Sequence, residues 1–151
     1  MTLLDAPTYN ARRARVIRNS VIGTLVTMVV LALLVWAFWD WPEQHRVNRF
    51  LAKVEAGQLQ EAYADWNNDA DWQQHASQYK AYTFADFSKD WGPSSDYGVI
   101  RSHKITITTT VGNGVVMGVE INGRKTPVFL RVDHKTRQIG FSPVELYVGP
   151  S

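Results

Sequence analysis

The chain has 151 residues, of which 45% are hydrophobic, 20% charged and 12% aromatic; this is a globular, one-domain composition and excludes a wholly disordered chain. There is no cysteine, which excludes disulfides, thiol catalysis, thiolate zinc sites and cysteine-held iron–sulfur clusters together. The formal charge of +2 is unevenly spread: residues 1–19 hold Arg12, Arg13, Arg15 and Arg18 against Asp5, a net +3, whereas residues 40–151 hold 12 basic and 13 acidic side chains, a net −1. No basic stripe remains outside the N-terminal segment, so no nucleic-acid partner is expected.

From Val21 to Trp39 the sequence reads VIGTLVTMVVLALLVWAFW, without a charge. About 20 apolar residues suffice to cross a hydrocarbon core of about 30 Å. Trp36, Trp39 and Trp41, with Phe38, gather at one end like an aromatic belt, and the four arginines stand at the other. Asp40 and Pro42 are expected to end the helix. The arrangement predicts a basic cytoplasmic tail (1–19), a transmembrane helix (20–41) and an extracytoplasmic domain (42–151). The expected location is a cell's inner membrane, crossed once, with the lipid bilayer itself as one partner. A cleaved signal peptide fits less well, because the apolar run is long and no small-x-small site follows it. Gly23 and Thr27 form a small-xxx-small pair, a weak signal for a helix partner.

Val47, Phe50, Leu51 and Val54 recur on one helical face, with Gly57 as a stop. Leu59, Ala62, Tyr63 and Trp66 repeat the spacing, and Asn67 to Asp71 reads as a loop. Phe84, Phe87 and Trp91 predict a third helix, with Thr83 as N-cap and Asp86 completing a partial capping box. Four strand-like runs follow: Val99–Val111, Val115–Ile121, Thr126–Val132 and Gln138–Val148. They are separated by Gly112-Asn113-Gly114, Asn122-Gly123 and a polar turn at Asp133–Thr136, and Pro143 interrupts the last. The expected fold class is α+β: one transmembrane helix, then helices packed on a four-stranded antiparallel meander. Alternation places Ile105 with Ile107, and Lys104, Thr106, Thr108 and Thr110 on the opposite face.

The segments GQLQEAYADW, FADFSKDWG and GFSPVELYV, with Gly57, Ala62 and Tyr63 in a G-x-x-x-x-A-Y spacing, resemble the membrane-anchored bacterial forms of the nuclear-transport-factor-2-like superfamily. That resemblance spans about residues 43–148. It implies a cone, with helices packed into the concave face of a strongly bent sheet. The element order is also similar to the small assembly factors of cytochrome oxidase and related presequence-translocase subunits. No motif separates the two.

Catalytic chemistry finds little support. His103 shares the expected core face and would act as acid or base only beside a partner such as Asp86 or Tyr97. Asp65, Asn67, Asp69 and Asp71 alternate like the start of a calcium loop. Ala70 and Ala76, however, stand where such a loop needs glycine and glutamate. His45, His75, His103 and His134 show no metal-ligand spacing, so neither metal nor cofactor is expected. Trp66 and Trp91 fit helix faces and read as core. Trp72, Tyr79 and Tyr82, with His103 and Trp91, are the candidates for a pocket or an interaction surface. Two functions compete: a non-catalytic accessory, assembly or scaffold protein beside another membrane protein or complex, and a tethered small-ligand-binding domain, enzymatic or not, that uses the interior of a cone.

Overall fold

The computed structural model describes residues 10–146. The chain divides into two compact units, Met1–Trp39 and Asp40–Ser151. The first contains helix α1, Ala11–Ala37. It is capped by Asn10, whose Oδ1 accepts a hydrogen bond from the Arg13 backbone N–H at 3.1 Å. Arg12, Arg13, Arg15 and Arg18 therefore belong to the helix. No acid stands in that first turn to complement the helix dipole. Residues 20–37 alone span about 27 Å at 1.5 Å per residue. This helix is long and apolar enough to cross a membrane, and none of it is buried. Thr24 and Thr27 donate their hydroxyls to Ser20 and Gly23 carbonyls at 2.9 Å, so neither hydroxyl is left bare on the apolar surface.

Pro42 does not end α1, contrary to expectation. The helix stops at Ala37, and after a turn at Phe38–Asp40 helix α2 runs over Trp41–Glu55. Proline suits a first helical turn because the N–H it lacks has no partner there. Trp41 thus belongs to the second unit, stacked on His45 at 5.8 Å. Val47, Phe50, Leu51 and Val54 are buried along one face, as the spacing predicts. At the C-terminus Gly57 takes φ +75°, while Gly57 and Gln58 donate to the Val54 and Lys53 carbonyls at 3.0 and 2.9 Å. This is a Schellman closure, which needs the left-handed residue that glycine supplies without strain.

Helix α3, Leu59–Asn67, buries Ala62, Tyr63 and Trp66. A short 3₁₀ turn at Ala76–Tyr79 precedes α4, Phe84–Trp91, which buries Phe87 and Trp91. The capping box of α4 is complete, with Thr83 accepting from the Asp86 N–H and Asp86 accepting from the Thr83 N–H. Thr83, first through its side chain and then through its backbone N–H, holds the Asp86 carboxyl below its ordinary value of 3.8. A depressed folded-state pKa means that the cap stabilises fully above the ordinary value and loses its effect as pH falls through the lower, folded one. Asp86→Asn is therefore expected to lower the melting temperature at pH 7 and to approach wild type only as the pH falls below the ordinary value of 3.8 and through the lowered, folded-state one. A constant deficit across that range would contradict the assignment.

Four strands form an open antiparallel sheet in the order β1-β2-β3-β4: His103–Val111, Gly114–Ile121, Val128–Asp133 and Ile139–Phe141. Val99–Ser102 lies outside β1 because its backbone is bound by a side chain instead of a strand. Asn122 accepts from the Arg101 and Ser102 N–H groups and donates to the Tyr97 and Val99 carbonyls. β4 is far shorter than expected. Pro143, without an N–H, follows it closely, and Tyr147 and Val148 of the expected strand lie outside the described residues.

The expected face assignment of β1 is half right. Ile105 pairs with Val119 but Ile107 pairs with Gly118, so Thr106 is an extra residue, a β-bulge. An inserted residue inverts the alternation beyond it. Ile107 therefore faces away from Ile105, and a Cβ on Gly118 would come within 2.7 Å of Ile107 Cγ2 and 3.2 Å of Phe129 Cε1. Thr108 and Thr110, opposite Met117 and Val115, take the face expected of Ile107. On the helix side, Ile105, Val115, Met117, Val119, Leu130 and Ile139 close the core against α2, α3 and α4.

Candidate functional site

The core is unusually aromatic. Phe50 lies 5.4 Å from Trp66, 6.0 Å from Phe87 and 5.1 Å from Trp91, ring centre to ring centre. With Met117, Val119 and Leu130 of the sheet these rings form one buried hydrophobic cluster.

The five candidate residues fall into three places. Trp72 meets Tyr63 edge-on at 4.8 Å and stacks on Phe84 at 5.2 Å. Tyr79 also lies against Tyr63 and donates its hydroxyl to Asp69 Oδ2 at 2.7 Å. His75 Nδ1 lies 2.8 Å from the same oxygen. The Tyr79 hydrogen bond, then that of His75, lowers the Asp69 pKa, while burial and Asp69 push the Tyr79 phenol up to about 12. Tyr79 is thus a fixed donor at neutral pH. The Asp69–His75 pair resembles two members of a catalytic triad, but among the described residues no serine or threonine hydroxyl bonds to His75.

His103 lies elsewhere. Its Nδ1 lies against Glu55 Oε1, and its Nε2 is 3.0 Å from Asn48 Oδ1. Neither Asp86 nor Tyr97 bonds to it. Both ring nitrogens of His103 are engaged, one by Glu55 and one by Asn48, so the group clamps the start of β1 to α2. The remaining histidines are separate too: His134 Nδ1 is 3.2 Å from buried Glu43, which also accepts from Arg137 at 3.1 Å. Among the described residues no three His, Asp or Glu side chains converge to hold a metal. Asp65 and Asp69 of the calcium-like run diverge, Asp65 toward Arg49 and Lys53 of α2, Asp69 toward Tyr79 and His75.

Tyr82 and Trp91 come together at the third place. Tyr82 packs on Trp66 at 5.5 Å and on Phe141 at 5.9 Å, and its hydroxyl donates to Asp90 Oδ2 at 2.8 Å. Burial, then Asp90, drives the Tyr82 phenol far above its usual range; the nearby Trp91 indole opposes this weakly. The phenol is neutral and donating at any physiological pH, and does not serve as a base. Trp91 stacks on Phe141 nearly parallel, at 6.0 Å and 6°. Beside this pair opens a cleft of about 430 Å³, formed by the end of α4, the following loop and β4, with Asp90, Trp91, Asp96, Tyr97 and Phe141 on its walls. That volume is in the range of small-ligand or side-chain sites.

The sequence pattern points to Tyr82 and Trp91 but not to Asp90, Asp96, Tyr97 or Phe141. Phe141 packs on Trp66 and Trp91 yet is 47% exposed, because it ends the edge strand β4. Of the proposed membrane-interface residues, Trp36, Trp39 and Trp41 are all largely exposed, Trp36 at 79%. No protein-family profile matches the chain, and no curated protein or solved structure matches it.

Proposed function

We propose that this is a single-pass, membrane-anchored accessory, assembly or scaffold protein, without catalytic activity of its own, whose outer domain engages another membrane protein. The observation that carries this reading is the pairing of an unburied apolar helix with a small domain whose interior is filled by aromatic rings. A bare apolar helix is stable in lipid and not in water. A filled interior favours recognition at the surface over catalysis or ligand capture in a cone. Tethering raises the local concentration of the domain at its partner.

Arg12, Arg13, Arg15 and Arg18 at one end of α1 support a cytoplasmic side for that end and the opposite side, the periplasm in a bacterium, for residues 42–151. The order of elements supports a nuclear-transport-factor-2-like or oxidase-assembly-factor-like ancestry as part of the same proposal.

The test is alkaline carbonate extraction and protease protection of the full chain in its native membrane, followed by mild-detergent purification. The chain is expected to resist extraction, to be cleaved only from the outer side, and to bring a stoichiometric membrane partner. Release by carbonate, or purification as a lone protein, would overturn the reading.

A further inference from the structure

We propose that Asn113 is a site of spontaneous deamidation in the folded chain, and that its acidic product loosens the contact between the β1–β2 and β3–β4 turns. The chain has two Asn-Gly pairs, Asn113-Gly114 and Asn122-Gly123. In such a pair the following backbone nitrogen is open to the asparagine side chain, because glycine has no side chain to shield it. The glycine nitrogen attacks the asparagine Cγ, and a new C–N bond closes a five-membered imide. The Cγ–Nδ2 bond breaks, and ammonia leaves with the proton given up by the glycine nitrogen. Water then opens the imide to aspartate or isoaspartate.

The fold treats the two pairs differently. Asn122 and Gly123 both stand at positive φ, 52° and 73°, in a tight turn. The Asn122 amide is held at four points. Its Oδ1 accepts from the Arg101 and Ser102 N–H groups at 2.8 and 3.3 Å, and its Nδ2 donates to the Tyr97 and Val99 carbonyls at 3.2 and 3.0 Å. Ring closure there breaks all four bonds. Asn113 is exposed, and among the described residues its side chain makes one hydrogen bond, from Nδ2 to Asp133 Oδ2 at 3.2 Å. Closure there gives up that bond and the pairing of Gly114 with Val111 at the end of the β1–β2 ladder.

The product inverts the contact with Asp133. The Thr136 backbone N–H, first, and that of Lys135 hold the Asp133 carboxyl below its ordinary value of 3.8, so it is ionised at neutral pH. A carboxylate at position 113 has no proton to donate and sets a second negative charge against Asp133 Oδ2. The Asn113 carbonyl also accepts from the His134 N–H at 3.1 Å, so the loss falls on the link between the two turns.

The experiment incubates the full-length protein in detergent micelles in warm, mildly alkaline buffer. Peptide mapping by mass spectrometry follows the amide-to-acid conversion at each asparagine, in the folded chain and in concentrated urea. Asn113 is expected to convert about tenfold or more faster than Asn122 in the folded chain, and at a similar rate in urea, where neither side chain is held. Asn113→Asp is expected to lower the melting temperature by about 2–5 °C at neutral pH. Asp133→Asn should restore part of that loss in the Asn113→Asp background, because its amide can donate to the new carboxylate, and should lower stability in the wild type.

Equal rates in the folded chain, faster conversion at Asn122, or an Asn113 that stays intact while the urea-treated chain converts would each overturn the site. An Asn113→Asp chain as stable as wild type, or one that Asp133→Asn does not help, would overturn the loosening of the turns.

Discussion

Phe50→Ala is expected to destabilise the outer domain by about 3–5 kcal/mol. The ring is fully buried and touches Trp66, Phe87 and Trp91, which come from α3 and α4. Its loss removes transfer free energy and leaves a cavity among rigid rings that collapse poorly into it. Edge-to-face contacts, such as the 84° crossing with Trp91, add to the loss. Against a total stability of about 5–15 kcal/mol for a domain of this kind, the melting temperature should fall by more than about 10 °C. Near-ultraviolet circular dichroism of the full chain in detergent measures it. Trp41→Ala is the control: a ring of similar bulk, 60% exposed, whose removal should change stability by less than about 0.5 kcal/mol. Equal effects from the two would mean that the aromatic cluster is not the structural core.

The second large effect is electrostatic. Asp65 meets three cations of α2, two on its carboxylate and one on its backbone carbonyl. Arg49 reaches it through Nε and Nη2 at 3.3 and 3.2 Å, Lys53 through Nζ at 2.8 Å, and Arg46 donates to the Asp65 backbone carbonyl at 3.1 Å. Burial lowers the Arg46 pKa, and Arg49 lowers it further, while Asp65 offsets them. Asp65→Ala leaves the three cations repelling one another over a partly buried surface, and is expected to cost about 2 kcal/mol. The sign of the salt response is diagnostic. Salt screens attraction in the wild type and repulsion in the variant. Denaturation midpoints should therefore fall slightly with salt for the wild type and rise for Asp65→Ala. Adding Arg49→Met should restore part of the stability in the variant background and reduce it in the wild type. Parallel salt responses would show that Asp65 acts by packing, not by charge.

Much of the architecture is legible in residue order alone. A helix's apolar face is a local pattern, so Val47 to Val54 and Leu59 to Trp66 announce α2 and α3, and Thr83 with Asp86 announces the start of α4. The uncharged run in α1 is legible for the same reason, since length and composition are local quantities. Strand pairing is not local. The bulge at Thr106 appears only when β1 meets β2, and it turns Ile107 away from the core that strict alternation assigns to it.

The candidate sites divide along the same line. Tyr82 and Trp91 stand out by composition, but what surrounds them comes from distant segments. Phe141 arrives from β4 and stacks on Trp91, and Asp90 takes the Tyr82 hydroxyl. His103 reads as a catalytic candidate while its partners are unknown; folding delivers Glu55 and Asn48 from α2 and makes it a clamp. The apolar helix, the α+β order and the lack of cysteine follow from neighbouring residues or from composition and need no folded chain to be read. Which aromatic rings share the core, and which partners His103 and Asp65 meet, depend on contacts between residues far apart in the chain and appear only on folding.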